Sequence, residues 1–315
     1  MARMSFENDV VIITGAGRGL GREHALAFAA RGAAVVINDP GVAMDGSGGE
    51  GSVAQQVADE IIAAGGRAAA DTNSVASEES AVAIVQTALD NFGRPTVLVN
   101  NAGIIHYAEL AEISADDWRK MQAVTLDGTF FMTRAVWPHF KAANYGRVIN
   151  TTSNVGFAGS ETLVHYGAAK LGVAGFTKTL ARETEGTGIT VNAIAPMAVT
   201  RMNRDAFFGG AEADNCSDWQ EEIRSGKLPM GPGSMVSPAV LWLAHRSTAI
   251  NGEIFSTSSG KVARVAFVVG QGYFNPEHGP EELRDNVDAI RTLGNALDPV
   301  SVKDELALIP PLFQH

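Results

Sequence analysis

Val10-Val11-Ile12-Ile13 is an unbroken run of β-branched residues that reaches Thr14 and gives way to Gly15-Ala16-Gly17-Arg18-Gly19-Leu20-Gly21, ahead of an amphipathic stretch from Arg22 to Arg31. Strand, glycine turn and helix start in that order form the layout in which backbone N–H groups and the helix dipole receive a pyrophosphate. The spacing Gly15-x-x-x-Gly19-x-Gly21 departs from the general G-x-G-x-x-G fingerprint, so the turn has to be weighed together with the later strands and their ends. Further apolar runs alternate with helical stretches along the 315 residues, which predicts one doubly wound α/β domain with a parallel sheet and a C-terminal addition.

The next strand, Ala33 to Asn38, ends in Asp39. A carboxylate there accepts both hydroxyls of an adenosine ribose and repels a 2′-phosphate, so the expected cofactor is NAD and not NADP. Arg18 inside the turn is the counter-argument, but an arginine on a turn can swing into solvent while a strand-end carboxylate stays at the ribose. After the strand Thr96 to Val99 comes Asn100-Asn101-Ala102-Gly103. Small residues at that point let the backbone approach a ligand, and the amides tie neighbouring strands.

The chemistry lies further along. Tyr166 and Lys170 are four residues apart, share one helix face and follow Ser153, which sits just past the strand Arg147 to Asn150. A phenol beside an ammonium is expected to titrate below its usual value near 10, which makes a general acid/base usable near neutral pH. The Ser153 hydroxyl can hold the substrate oxygen while the phenol carries the proton and a nicotinamide carries the hydride.

Gly15/Gly19/Gly21, Asn100 to Gly103, and Ser153 with Tyr166-Gly167-Ala168-Ala169-Lys170 resemble the short-chain dehydrogenase/reductase family, which folds as a single Rossmann domain. Within it the chain is similar to the (3R)-hydroxyacyl-CoA dehydrogenase units of peroxisomal multifunctional enzymes and their stand-alone bacterial relatives. Tyr145-Gly146-Arg147, Ala193-Ile194-Ala195-Pro196 and Val240-Leu241-Trp242-Leu243 are among the stretches that carry this likeness, which spans residues 1–264 and weakens over 265–315. The resemblance implies Ser153, Tyr166 and Lys170 as the catalytic set. It implies cofactor contacts from Gly15, Arg18, Gly19, Leu20, Gly21, Asp39, Asn101, Ala102 and Gly103, from Asn73, Ser74 and Val75 near adenine, and from Pro196 and Val199 near nicotinamide. Two positions depart from the family: Thr125 stands where many members carry an asparagine of a water relay, and Pro196-Met197 replaces Pro-Gly.

A net charge of −11 argues against nucleic acid or anionic membrane surfaces as partners. Cys216 is the single cysteine, residues 1–9 hold no apolar signal core and the chain ends Phe313-Gln314-His315, so the expected setting is a reducing cytoplasm. The seven histidines show no metal spacing and none is expected to bind one. Residues 41–51 read as a mobile loop at the adenosine end of the cofactor site, residues 197–235 with Phe207, Phe208 and Trp219 as a substrate lid, and residues 265–315 as a subunit interface or, second, a pocket wall. The expected activity interconverts a 3-hydroxyacyl-CoA and a 3-ketoacyl-CoA in a homodimer or homotetramer. A steroid or other bulky secondary-alcohol dehydrogenase is the alternative enzyme, and a non-catalytic NAD-binding sensor is the alternative of another class.

Overall fold

In the computed structural model, residues 3–48, 52–200, 225 and 230–309 are described. The apolar runs become the strands of one sheet: β1 (Val10–Thr14), β2 (Ala34–Asn38), β3 (Arg67–Asp71), β4 (Val97–Asn100), β5 (Gly146–Thr151), β6 (Ile189–Met197), β7 (Ile254–Ser258) and β8 (Lys261–Val265). Their spatial order is β3-β2-β1-β4-β5-β6-β7-β8, and β1 to β7 pair in parallel. β8 returns from β7 through Ser259 and Gly260, both at positive φ (47° and 84°), as a two-residue hairpin turn requires.

Period-two alternation within β1 assigns its side chains to two cores. Val11 and Ile13 join Phe28 of α1 (Gly19–Ala29), Ile61 of α2 (Ser52–Ala63) and Leu243 of a late helix, Ser237–Ala244, on one face. Val10 and Ile12 join Ile84 of α3 (Glu78–Phe92) and Met132 and Phe140 of α5 (Gly128–Ala143) on the other. Both faces of the sheet are therefore covered, which explains strands with no polar alternation. Between α4 (Ala115–Gln122) and α5 the backbone makes one π-helical turn, Ala123–Asp127; α6 (Asn154–Ala158) and the twenty-residue α7 (Val164–Glu183) come after β5.

Sheet order reverses at β1 and β4: β2 and β3 lie to one side of β1, and β4 to β8 to the other. In such sheets ligands bind in the crevice beyond the carboxyl ends of the strands at the reversal. The glycine turn after β1, Asn101 to Gly103 after β4, Ser153 after β5 and Pro196 at the end of β6 all fall at that edge.

Contacts divide the chain into two units, 1–264 and 265–315. In the second unit, Val269 and Leu297 exchange backbone hydrogen bonds (2.8 and 2.9 Å), and three short helices lie at Pro280–Asp285, Val287–Arg291 and Val302–Leu306. Tyr273 and Asn275 both donate to the Glu282 carboxylate, which pins the loop before the first of these helices to it.

Candidate active site

The glycine turn is shaped by close approach. Gly15 and Gly19 take positive φ (63° and 53°), open to glycine without strain. A Cβ on Gly21 would stand 2.3 Å from the Gly15 carbonyl oxygen, so this residue permits helix-to-strand contact and does not itself line the cleft. A Cβ on Gly19 would meet nothing nearer than Thr200 at 3.9 Å, which leaves the start of α1 open to a ligand. Asp39 braces the same turn: its two carboxylate oxygens accept the N–H of Gly17 (2.9 Å) and of Gly41 (2.7 Å). Each of these oxygens retains a lone pair that can accept a further hydrogen bond.

The amides after β4 serve the scaffold. Asn101 donates to the carbonyls of Thr14 and Gly15, while the Thr14 hydroxyl accepts the N–H groups of Asn101 and Ala102. Asn100 donates to Asn150 of β5 at 2.9 Å, and Asn150 donates to Thr177 of α7 at 2.9 Å. This buried ladder fixes α7 against β4 and β5, and α7 carries Tyr166 and Lys170.

Ser153 is the N-cap of α6, its Oγ accepting from Val155 N–H at 3.2 Å. Lys170 is buried, donates from Nζ to the Thr151 carbonyl at 2.7 Å and stands 5.8 Å from the Tyr166 ring centroid. The Thr152 hydroxyl in turn donates to the Lys170 carbonyl at 2.5 Å. Ser153, Tyr166 and Lys170 line one cavity of about 570 Å³ together with Gly15, Arg18, Gly19, Leu20 and Asp39. Ser74, Val75, Asn101, Ala102, Gly103 and Pro196 line it too.

Electrostatics correct the expectation for the phenol. Tyr166 is pushed up from its ordinary value, chiefly by desolvation, with its hydrogen bond to Ser153 opposing and Tyr107 adding to the rise. Burial pushes Lys170 down to about 8. The ammonium stands 5.8 Å from the ring centroid and is held by a carbonyl, and the cost of burying the phenolate decides the direction of the shift.

Two other expected positions, Asn73 and Val199, do not line the cavity. Asn73 is exposed and off the cavity: its side chain and N–H bond Asp71, and its carbonyl accepts from Asn38. Val199 is also off it, pairing its N–H with the Gly231 carbonyl, while its neighbours Ala198 and Thr200 line the cavity. Pro196-Met197 continues the β6 register opposite Thr257 and Ser258. The 41–51 loop, described to residue 48, is tied to the far side of the cleft by Ile105 N–H donating to the Met44 carbonyl at 2.9 Å, and Val42, Ala43 and Met44 join the lining. Its turn is closed by Asp45, which accepts from Ser47. Tyr107, Thr162 and Leu163 are lining residues that sequence reasoning missed, although each comes after a strand or helix end at the crevice edge. Cys216, Phe207, Phe208 and Trp219, with most of the expected lid, and Phe313 to His315 lie outside the described residues.

Thr125 is buried in the π-turn, its hydroxyl on the Met121 sulfur at 3.7 Å and its carbonyl accepting from Thr129 at 2.8 Å. A weak sulfur contact is all that its side chain loses in an isosteric change. Thr125→Val is therefore expected to lower kcat less than Ser153→Ala does, and the reverse ranking in steady-state kinetics would place the threonine hydroxyl in proton transfer.

Residues 9–207 match the family model described as short chain dehydrogenase. The chain belongs to the short-chain dehydrogenase family. It is 39% identical over 305 residues to peroxisomal multifunctional enzyme type 2 of Mus musculus, an alignment that covers 96% of this chain and 39% of the mouse protein. Among solved structures, a short chain dehydrogenase from Mycobacterium avium is 37% identical with a TM-score of 0.75, over 91% of this chain and 97% of that one. Full-length peroxisomal multifunctional enzyme type 2 from Drosophila melanogaster is 30% identical with a TM-score of 0.76, over 96% of this chain and 49% of that one. This short-chain dehydrogenase thus spans less than half of the multifunctional mouse and fly proteins. No described helix is long and apolar enough to cross a membrane.

Proposed function

We propose that this short-chain dehydrogenase is an NAD-dependent enzyme that interconverts a 3-hydroxyacyl-CoA and a 3-ketoacyl-CoA, with Ser153, Tyr166 and Lys170 as its catalytic residues. The observation that carries the reading is one cavity shared by the glycine turn, Asp39 and these three side chains. The open start of α1 and the tight Gly15 and Gly21 approaches fit a dinucleotide, and Gly15, Arg18, Gly19, Leu20, Asp39, Ser74, Val75 and Pro196 are the residues that would hold it. When bound, the nicotinamide accepts or delivers the hydride. Ser153 Oγ holds the substrate oxygen through its hydroxyl, Tyr166 gives or takes the proton at that oxygen, and Lys170 is fixed by the Thr151 carbonyl so that its charge faces the ring.

Because desolvation raises Tyr166, the resting acid is the neutral phenol. Ketone reduction uses that form and alcohol oxidation uses the phenolate. Oxidation kcat/KM is expected to climb as pH rises from neutral into the alkaline range, and reduction is expected to hold or fall; parallel pH profiles in the two directions would remove Tyr166 as the proton carrier.

NAD is favoured over NADP by Asp39, whose position is set by two backbone donors. Asp39→Ala is expected to weaken NAD and to narrow its advantage over NADP, read as the ratio of kcat/KM for the two cofactors. A wild-type preference for NADP would assign the choice to Arg18 instead.

The family branch that the sequence resembles supports the thioester, and Ile104, Ile105, Val155, Leu163 and Met197 supply apolar lining for an alkyl or sterol side chain. The deciding experiment is steady-state turnover of a panel of (3R)-hydroxyacyl-CoAs and free steroid alcohols with each cofactor. Thioesters are expected to win because CoA adds remote binding energy, and equal or better turnover of a free steroid alcohol would install the steroid reading. Leu283, Val287 and Ile290, apolar and exposed within the second unit, support a role for it in homo-oligomer assembly. A single cysteine supports a cytoplasmic setting.

A further inference from the structure

At the sheet edge opposite the catalytic residues lies a second cavity, about 480 Å³, formed where β5 and β6 begin, where α7 ends, and by the loop that leads into β7. Three arginines from three different segments line it: Arg147, Arg182 and Arg246. Thr187, Thr190, Ser247 and Thr248 add hydroxyls to the lining.

Arg147 is the unusual member. It is only 5% exposed, stacks its guanidinium 4.6 Å from the Tyr145 ring centroid, and donates to the carbonyls of Gly146 (2.9 Å), Gly188 (2.8 Å) and Arg246 (3.3 Å). All of these acceptors are neutral. Its Nε finds no hydrogen-bond partner among the described residues, and neither does the buried Thr190 hydroxyl. This buried guanidinium feels the attraction of Asp9 but is hydrogen-bonded only to carbonyls, so its forked donors are not matched by any oxyanion.

The carboxylates nearby are shared with the other two arginines. Glu185 is paired with Arg182, and Asp9 accepts from Thr96 at 2.9 Å and stands 3.7 Å from the Arg246 guanidinium. Three guanidinium groups against two carboxylates leave one positive charge in excess, in a chain whose net charge is −11. Guanidinium forks and hydroxyl donors in a polar recess are the chemistry that recognises phosphate oxygens.

We propose that this cavity is a binding site for a compact multivalent oxyanion of the phosphate class, held by Arg147, Arg182 and Arg246 and separate from the cofactor cleft. Such a ligand binds only the folded chain, so it also stabilises the fold.

The test is calorimetric titration of the full chain with inorganic pyrophosphate, run on the wild type and on Arg246→Gln, Arg182→Gln and Arg18→Gln. Arg246 and Arg182 have side chains about half exposed, 55% and 42%, so their replacement leaves the core intact, and unchanged dehydrogenase turnover checks that. The glycine turn is the competing pyrophosphate site, which Arg18→Gln reports. Saturable binding is expected that weakens at least about tenfold in Arg246→Gln and in Arg182→Gln and persists in Arg18→Gln, with a pyrophosphate-dependent rise in Tm lost in the first two. Binding that disappears only in Arg18→Gln, or no saturable binding in the wild type, overturns the proposal. Neither result depends on which alcohol the enzyme oxidises.

Discussion

Tyr166→Phe is expected to reduce kcat in both directions by about 10²–10⁴-fold, the usual loss when a positioned acid/base is removed, while the affinity for NAD changes little. The ring remains, so its packing and the 5.8 Å approach of Lys170 to its face are retained; only the hydroxyl that bonds Ser153 is lost. A structural role would show instead as a fall in Tm with a proportionate loss of both kcat and cofactor binding. Near-wild-type turnover would move the proton to another group in the cavity and would favour the non-catalytic sensor reading of the fold.

The second large effect is expected at Gly21→Ala. Its new methyl would sit 2.3 Å from the Gly15 carbonyl oxygen, 2.6 Å from Asn101 Nδ2 and 2.9 Å from Ala16 Cα. Two of the three are backbone, so the turn itself has to shift. Helix propensity favours alanine by about 1 kcal/mol, but overpacking a rigid contact costs about 1–3 kcal/mol and here also displaces the glycine turn. The expected result is a lower Tm and at least about tenfold weaker NAD binding, since a misplaced cradle loses several backbone contacts at once. Gly175→Ala on α7 is the matched control: a Cβ there meets nothing within 4 Å, and stability is expected to rise by about 0.5–1 kcal/mol. A stable, tight-binding Gly21→Ala protein would refute the close-approach account of this turn.

What the sequence determined by itself was the part of the site whose geometry is local. The run Val10 to Ile13 ahead of the glycines makes a strand-to-helix turn wherever it folds, and four-residue spacing places Tyr166 and Lys170 on one face of any helix that holds them. Strand alternation with helical runs was equally legible, because the central strands are apolar on both faces and the helices between them carry apolar stripes.

Tertiary structure decided whatever sums over distant segments. Expected near adenine, Asn73 is drawn off the cavity by Asp71 and Asn38, neighbours that no local pattern reveals. The 41–48 segment, which reads as a free loop, is tied by Met44 to Ile105, sixty-one residues away along the chain. The phenol of Tyr166 rises where a nearby ammonium predicts a fall, because desolvation is the combined effect of all the packed neighbours, whereas the lysine is one charge held over the ring face. Arg147 reads as an ordinary strand residue, and only folding buries it among the accepting carbonyls of Gly146, Gly188 and Arg246.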